Sequence, residues 1–174
     1  MHLAIDQGGH ASRALLFDAG GRVVARAEHG VPVHQPQPGW VEQDAEQVVR
    51  SVQDSIDEAI NGRDPAQVVN AGLACQRSSV VCWSSSSGEA LSPVISWQDR
   101  RAHAWLARFE RQRARIHQST GLMLSAHYGA SKLRWCFDHL PAVAQAAADG
   151  RLACGPLASF LVFRLTAEHA LAAD

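Results

Sequence analysis

The residues with the clearest chemical potential lie at the start of the chain, between two short apolar runs. Asp6 ends the first run, Gly8 and Gly9 follow it, and Ser12 and Arg13 precede the second. A glycine turn lets backbone N–H groups approach a phosphate closely, and an Asp at a strand end can hold Mg²⁺ through water. The same residues fit an ordinary Gly-Gly hairpin with a surface carboxylate. The turn alone therefore leaves both interpretations open.

Three further polar clusters lie at the predicted ends of strands and helices, where binding residues are commonly placed. Gln76, Arg77 and Ser78 separate two apolar strands, and Arg77 suits either a bidentate contact with ligand oxygens or simple exposure to solvent. Trp97 and Asp99 fit the wall of a pocket for a polar small molecule, or the exposed N-terminus of a helix. The residue types alone do not decide either case.

The last polar cluster runs from Thr120 through Gly121 into a predicted helix that contains Lys132, the only lysine of the chain. A single lysine also has ordinary structural explanations. Metal sites are disfavoured, because the nine histidines form no H-x-x-x-H or H-E-x-x-H pattern and none pairs with a cysteine at ligand spacing. The sequence also contains neither G-x-x-x-x-G-K-[ST] nor a strand-linked G-x-G-x-x-G.

Composition describes a globular protein without a strong overall charge. Hydrophobic residues make up 47% and charged residues 19% of 174, and the formal net charge is −1, which disfavours nucleic acid and anionic membranes as partners. The four cysteines form no C-x-x-C pair, so we expect a reducing, cytoplasmic compartment. We expect neither a signal peptide nor a membrane span, because no apolar run approaches the ~18 residues that a span requires.

The elements that must position these residues begin with a sheet. Short apolar runs bounded by turn residues predict five strands, at residues 3–6, 14–18, 22–30, 67–75 and 80–83. The first three form an antiparallel meander. The fourth is expected to be buried and to pair in parallel, because a helix precedes it. The resulting β-β-β-α-β series predicts an α/β fold with a mixed sheet.

The intervening helix has the clearest boundaries of any predicted element. Asp44 is suited to the N-cap, with Gln47 three residues on, and Asn61 with Gly62 predicts the end. One apolar stripe at helical spacing comprises Ala45, Val48, Val49, Val52, Ile56, Ala59 and Ile60. This helix is expected to pack on the sheet without taking part in chemistry.

The second half of the chain changes to helical periodicity. Helices are predicted at residues 100–115, 130–137, 141–148 and 155–165. We therefore expect one domain over residues 1–174, with mainly sheet plus one helix in residues 1–98 and mainly helix in residues 99–174.

Taken together, the motifs of this chain resemble those of the N-terminal half of the FGGY carbohydrate kinases, most closely the glycerol-kinase branch. The resemblance runs from the first residues to the last. The motifs are D-Q-G at 6–8 with S-R-A at 12–14, P-Q-P-G-W-V-E-Q-D at 36–44, Q-R at 76–77, I-S-W-Q-D-R-R at 95–101, T-G-L at 120–122, K-L-R-W at 132–135, and L-T at 165–166 with the terminal D at 174.

This resemblance implies an RNase H-like fold of the actin and hexokinase kind, in which two domains close over a cleft. It implies transfer of the γ-phosphoryl group of ATP, with Mg²⁺, to an alcohol of a sugar or polyol. Asp6 would be catalytic and would lie near the Mg²⁺ ion. The cofactor-binding turn facing the γ-phosphate would consist of Gly8, Gly9, Ser12 and Arg13.

The resemblance also implies an acceptor pocket. Its residues would be Gln76, Arg77, Ser78, Trp97 and His127, with Asp99 in a supporting role. The glycerol branch has a glutamate at the position of Ser78 and a tyrosine at that of His127, so a different acceptor is expected here. The turn also departs from that branch, because Gly9, His10 and Ala11 replace residues with hydroxyl groups.

Members of the family are much longer than this chain. The usual catalytic base, an aspartate, and the adenine pocket should lie in the part that follows. We therefore expect residues 1–174 alone to be inactive, with ATP and Mg²⁺ binding tightly only when the second domain is present. The alternative is a non-catalytic binding or scaffold module that kept the kinase fold. Surface that normally meets the second domain would be compatible with homo-oligomers.

Overall fold

The strands of the protein form two four-stranded sheets in the computed structural model, which describes residues 1–170. The strands are β1 (His2–Gln7), β2 (Ala11–Phe17), β3 (Val23–Gly30), β4 (Glu42–Gln43), β5 (Asn70–Cys75), β6 (Val80–Ser84), β7 (Val94–Ile95) and β8 (Leu152–Pro156). The strand orders are β3-β2-β1-β5 and β4-β7-β6-β8. Asp174 of the terminal motif lies outside the described residues.

The first sheet has the predicted mixed topology. β2 pairs antiparallel with both β1 and β3, so the meander is confirmed. β1 and β5 pair in parallel, with Gln7 opposite Cys75, which confirms the β-α-β return. Leu3, Ile5 and Gln7 alternate toward the buried face, because successive strand residues point to opposite sides. The parallel pairing brings the turn after β1 beside the segment that follows β5.

Helix α1 (Ala45–Ile60) packs on β2 and β3 and has the predicted boundaries. The Asp44 carboxylate accepts a hydrogen bond of 2.8 Å from the Gln47 N–H, which satisfies one free donor of the first turn. Gly62 adopts a left-handed backbone, with φ +73°, just beyond the last turn. Val48, in the apolar stripe, is fully buried, and such a side chain contributes on the order of 2 kcal/mol to stability.

Of the four strands in the second sheet, the sequence predicted only β6. β4 and β7 have two residues each, too few to show any periodicity. β8 includes Gly155, which pairs with Val81 of β6, and helix α6 (Leu157–Leu165) begins only after Pro156. The prediction of a helix from residue 155 is therefore wrong at its first two residues.

The remaining helices follow the prediction unevenly. Within residues 1–170 they are α2 (His103–Leu106), α3 (Arg113–Thr120), α4 (Gly129–His139) and α5 (Pro141–Ala148), with 3₁₀ turns at Pro65–Gln67 and Ala107–Gln112. The predictions at 130–137 and 141–148 are confirmed. The single helix predicted at 100–115 is wrong, because α2, a 3₁₀ turn and α3 replace it. None of these three bury a residue, so packing does not stabilise one long helix.

Strand β6 separates two hydrophobic clusters, which explains its uninterrupted apolar sequence. Val81 and Trp83 face the cluster formed with the first sheet, α1 and α6. Val80 and Cys82 face a second cluster on the opposite side, with Cys136 of α4 among its members. No helix among the described residues is long and apolar enough to cross a bilayer.

Strand β5 differs from its prediction as a buried strand. It is an edge strand of the first sheet, and most of its residues are exposed or half-buried. Leu73 and Cys75 pack against the core, where α6 contacts the strand. Val69, just before β5, is 70% exposed. The prediction is wrong because an apolar run does not show whether a second strand or helix covers its other side.

Candidate active site

The turn after β1 places one carboxylate beside one guanidinium. Asp6 pairs with Arg13 at 3.2 Å, directly across the β1–β2 ladder. Arg13 also binds Glu28 at 2.8 Å, and that hydrogen bond is the main cause of the raised pKa of Arg13 and the lowered pKa of Glu28. The Asp6 side chain is 51% exposed, so its oxygens remain accessible to a ligand or a hydrated cation.

This exposed carboxylate fits a magnesium ion. Proteins commonly hold Mg²⁺ through one or two carboxylates together with phosphate oxygens of a substrate, rather than in an all-protein cage. No group of three or more His, Cys, Asp or Glu side chains within residues 1–170 could hold a metal by itself. A magnesium ion at Asp6 would therefore need phosphate oxygens as additional ligands.

The backbone of the turn supplies hydrogen-bond donors. The Gly8 N–H donates to the Ala11 carbonyl at 2.9 Å and closes the turn, and an added Cβ at Gly8 would lie 3.3 Å from the same oxygen. The N–H groups of Gly9 and His10 donate to no other group in the described part of the chain. They are therefore available to an anionic oxygen.

Ser12 is placed differently from the other residues predicted to bind phosphate. Its side chain is buried, and its hydroxyl lies 2.7 Å from the Ser51 hydroxyl of α1. Because Ser51 donates its own proton to the Val48 carbonyl, Ser12 is the donor in this pair. The Ser12 hydroxyl thus fastens β2 to α1.

Three glutamine amides connect the turn to the segment after β5. Gln76 Nε2 donates to Gln7 Oε1 at 3.0 Å and to Gln43 Oε1 at 2.9 Å. Gln7 donates to the Gly8 carbonyl at 2.7 Å, and Gln43 donates to the Gly9 carbonyl at 3.2 Å. Gln7 and Gln43 are almost completely buried, and a satisfied buried amide network is rigid. The network therefore fixes the peptide planes of the glycine turn.

The same network reaches the predicted acceptor residues. Ser79 Oγ donates to Gln76 Oε1 at 2.8 Å and accepts a hydrogen bond of 3.0 Å from the Trp97 N–H. Trp97 is 38% exposed, and its ring centroid lies 5.8 Å from that of His127, with the two rings edge to face. Burial lowers the pKa of His127, which favours a neutral ring. Gln76, Trp97 and His127 therefore lie in one group.

Lys132 joins two residues of this group through their backbones. Its buried ammonium donates to the Ser78 carbonyl at 2.9 Å and to the His127 carbonyl. Ser78 has a left-handed backbone, with φ +64°, which is uncommon outside glycine and is often found at functional sites. Burial lowers the pKa of Lys132 to about 8. The lysine thus holds the backbones of Ser78 and His127, two residues of the predicted acceptor group, at a fixed separation.

Asp99 belongs to a buried ionic cluster next to this group. Its carboxylate is fully buried and binds Arg101 at 2.9 Å, and Arg101 also binds Glu42 at 2.7 Å. The Arg101 guanidinium lies 4.0 Å from the ring centroid of Trp40 and 4.6 Å from that of Trp135. The Asp99 oxygens are occupied by protein donors, in keeping with the supporting role expected from the sequence.

Arg77 and Ser78 border an open cavity of about 590 Å³. Arg77 is exposed and makes no ion pair within residues 1–170, so its guanidinium can bind a ligand. Most of the lining is apolar, and Trp97 and His127 do not contribute to it. The other lining residues are Ser79, Val80, Leu122, Tyr128, Gly129, Ala130, Leu133, Gly155 and Pro156.

Sequence reasoning did not assign roles to several residues that organise the site. Gln7 shares the inward alternation of Leu3 and Ile5, so a polar residue at a core position was the available signal. The uniqueness of Lys132 was a second signal. Ser79 and Arg101 lie in polar clusters of the sequence, but their structural roles gave no signal, because one partner of each is distant in the chain: Trp97 for Ser79 and Glu42 for Arg101.

Sequence comparisons identify the family of the chain. A profile of the N-terminal domain of the FGGY family of carbohydrate kinases matches residues 1–173. The chain is 40% identical to a glycerol kinase of Acidovorax ebreus (strain TPSY) over 171 residues, which cover 94% of this chain and 34% of that protein. The chain spans about a third of the length of the curated relatives it matches.

Solved structures show the same fold. The chain superposes on Plasmodium falciparum glycerol kinase, crystallised with ADP, with a TM-score of 0.86 at 23% identity, over 95% of this chain and 34% of that one. For the xylulose kinase from Rhodospirillum rubrum the TM-score is 0.80 at 24% identity, over 97% of this chain and 35% of that one. The expected actin- and hexokinase-like fold is therefore confirmed. The chain belongs to the FGGY family of carbohydrate kinases, as an N-terminal portion.

Proposed function

We propose that this chain is the acceptor-binding part of an ATP-dependent kinase that phosphorylates an alcohol of a sugar or polyol. The observation that carries the proposal is the hydrogen-bonded connection from Trp97 through Gln76 to Gly8 and Gly9. This connection joins a group suited to a polar small molecule to a turn suited to phosphate. Phosphoryl transfer depends mainly on holding these two partners in line.

At the turn, ATP would supply the phosphoryl group and Mg²⁺ would neutralise its developing charge. Asp6 would hold the hydrated ion through its exposed oxygens. The N–H groups of Gly9 and His10, with Arg13, would bind phosphate oxygens, and the absence of a side chain at Gly8 keeps the turn tight. Ser12 and the three glutamines would act by positioning this turn.

At the acceptor group, Arg77 would donate hydrogen bonds to hydroxyl oxygens while Trp97 forms an apolar wall. Ser78 cannot grip a polyol as the glutamate of the glycerol branch would, and His127 has a smaller ring with two nitrogens in place of the tyrosine of that branch. We therefore infer an acceptor other than glycerol. Its hydroxyl oxygen would bond to the γ-phosphorus as the bond to the bridging oxygen breaks, and a base beyond residue 170 would take the proton.

The acceptor assignment is tested by NMR on the chain with a panel of sugars and polyols. The indole N–H signal of Trp97, identified by its loss in Trp97→Phe, should shift with at least one compound. Arg77→Ala should weaken that binding at least about tenfold, the loss expected for a charged hydrogen bond, whereas Arg26→Ala, a change on β3, should not. Equal binding by both variants, or no shift with any compound, would contradict the proposal.

The chain alone is expected to be inactive, because the catalytic aspartate and the adenine pocket of the family are expected in the part that follows. Incubation with Mg-ATP and the same compounds should give no phosphorylated product by mass spectrometry. Detectable ATP-dependent phosphorylation by the purified chain would refute this expectation.

The alternative is a non-catalytic binding module, which the loss of hydroxyl groups at Gly9, His10 and Ala11 favours. The two functions differ at the turn. The kinase proposal requires Mg-ATP, whose γ-phosphate would face the turn, to shift the backbone amide signals of Gly9 and His10, with the shift lost in Asp6→Asn. A binding module would respond to a sugar and leave these amides unchanged.

We also propose that the exposed edge of β5 is a surface for homo-oligomers of this chain. β5 carries no charged residue, and an uncharged open edge readily pairs with another strand. A reducing, cytoplasmic compartment completes the proposal, and it is supported by the fact that none of the four cysteines forms a disulfide.

A further inference from the structure

Three cysteines meet between the second sheet and α4, away from the turn and the acceptor group. Cys82 lies on β6, Cys154 lies opposite it on β8, and Cys136 approaches from α4. Cys82 and Cys136 are fully buried, whereas Cys154 is exposed. The accessible thiol of Cys154 therefore lies beside the thiol of Cys82, which solvent cannot reach.

The register of the strands brings Cys82 and Cys154 to the closest kind of cross-strand pair. The Cys82 N–H donates to Ser92 Oγ at 2.9 Å, and its carbonyl accepts from the Leu91 N–H at 2.8 Å. Both backbone groups of Cys82 thus point away from β8, so the pair is not hydrogen-bonded through its backbones. In such pairs the Cα atoms lie about 4.5 Å apart, and the side chains are on the same face.

This spacing permits a covalent bond. Disulfides in proteins span Cα separations of about 4.4–6.8 Å, so the two sulfurs can meet by rotation of their side chains without movement of the strands. Cys136 lacks a comparable register, because it reaches Cys82 from a helix. Cys154 is therefore the partner for which the backbone is already in position.

Burial and the neighbouring thiols indicate which sulfur reacts. Contact with Cys136 and with Cys154 raises the pKa of the fully buried Cys82 thiol, whereas contact with Cys82 lowers the pKa of the exposed Cys154 thiol to about 7. Negative charge is better solvated at the exposed sulfur, which makes Cys154 the nucleophile. At neutral pH about half of it would be thiolate, against about 3% for an ordinary thiol.

We propose that Cys154 and Cys82 form an oxidisable pair, a modification site that closes reversibly as a cross-strand disulfide. In the first step the Cys154 thiolate attacks a hydroperoxide, the O–O bond breaks, and the sulfur becomes a sulfenic acid as hydroxide or an alkoxide leaves and takes a proton from solvent. In the second step the Cys82 sulfur attacks the sulfenic sulfur, the S–S bond forms, and water leaves with the Cys82 proton. A thiol reductant returns both side chains to the reduced form.

The test uses the chain with Cys75→Ser, which removes the one cysteine outside the cluster. Hydrogen peroxide at neutral pH should lower the intact mass by two hydrogen atoms, and dithiothreitol should restore it. Tryptic peptides should show one cross-link, between Cys82 and Cys154, because cleavage sites separate all three cysteines. The rate of iodoacetamide labelling of Cys154 should rise with pH around a midpoint near 7.

Two variants separate the steps. Cys154→Ser should abolish the mass change, and Cys82→Ala should leave a sulfenic acid at Cys154 that dimedone captures. Cys136→Ala is the matched control within the cluster and should leave the cross-link unchanged. An unchanged mass, a link from Cys82 to Cys136, or disulfide-linked dimers would each overturn the proposal.

Discussion

At the scale of single residues, Lys132 is the clearest case of a side chain whose role follows from its surroundings. A buried ammonium is costly unless its protons are hydrogen-bonded, and here two carbonyl oxygens accept them. The two carbonyls belong to Ser78 and His127, the residues that we assign to acceptor choice. The arrangement links the stability of the chain to the geometry of its proposed acceptor group.

We predict that Lys132→Met lowers the free energy of unfolding by about 2–3 kcal/mol at neutral pH, because two buried carbonyls lose their donor. Arg134→Met, an exposed change in the same helix, is the control and should cost less than about 0.5 kcal/mol. Urea unfolding followed by tryptophan fluorescence measures both. Equal effects would show that the lysine contacts do not stabilise the fold.

The same lysine predicts a pH dependence. The folded pKa of Lys132 is lowered to about 8 from 10.5, so between these values the unfolded chain binds the proton and the folded chain does not. Stability therefore rises with pH in this window. The difference between wild type and Lys132→Met should grow by on the order of 2–3 kcal/mol from pH 8 to pH 10.5. A constant difference across the window would contradict this prediction.

The family resemblance, rather than residue types alone, gave the proposed site residues. Asp6, Arg77 and Trp97 were proposed from the motifs that contain them, because each residue type also fits an ordinary structural role. The orientation of Ser12 depends on the phase of β2 relative to α1, which no local pattern records. Gln76 was predicted as a substrate residue. Its side-chain amide donates hydrogen bonds to Gln7 and Gln43, which are far away in sequence.

At the scale of elements, the sequence predictions were accurate where several independent local signals marked the same helix or strand. Helix α1 has a cap, an apolar stripe and a terminal glycine, and its boundaries were predicted correctly. The region 100–115 has an aromatic pair, Trp105 and Phe109, but its helical turns bury no residue that would stabilise one regular helix. β4 and β7 were missed because a two-residue strand has no sequence pattern of its own and is defined by its pairing with neighbouring strands.

The contact between α4 and β6 gives a prediction at this scale. An added Cβ at Gly129, the first residue of α4, would lie 2.7 Å from Val80 Cγ1. Val80 is stiff and buried, so Gly129→Ala should lower the free energy of unfolding by about 1–3 kcal/mol, despite the better helix propensity of Ala.

Two controls test this explanation by urea unfolding. Gly72→Ala has no atom within 4 Å of the added Cβ and should be close to neutral. In a Val80→Ala background, Gly129→Ala should no longer destabilise the chain, because the clash is gone. Persistent destabilisation there would place its cause elsewhere.

At the scale of the whole molecule, the two halves are joined across α1 and α6. Arg164 binds Glu46 at 2.6 Å and 2.9 Å and also donates to the Gly88 carbonyl at 3.1 Å. These contacts tie α6 to α1 and to the loop after β6. The first sheet ends at the open edge of β5, which follows the 70% exposed Val69.

We predict that this edge drives self-association of the chain. Val69→Lys should shift the sedimentation profile toward monomer, with at least about a tenfold weaker association, because a charge at an open edge opposes strand pairing. Val24→Lys, on the opposite edge strand, is the control, since β3 already carries Arg26 and Glu28. A wild-type chain that stays monomeric at high concentration would contradict the prediction.

The glutamine network has one further property, which is its polarity. From the Trp97 amide onward, every group gives its proton to the next: Ser79 to Gln76, Gln76 to Gln7 and Gln43, and these to the carbonyls of the turn. If one side-chain amide flipped, its NH₂ group would face another donor. The direction of the hydrogen bonds could therefore reverse only if all the side-chain amides flipped together. One end of the network is a backbone N–H donor, and the other ends are backbone carbonyl acceptors. The hydrogen bonds can therefore run in one direction only, from Trp97 to the glycine turn.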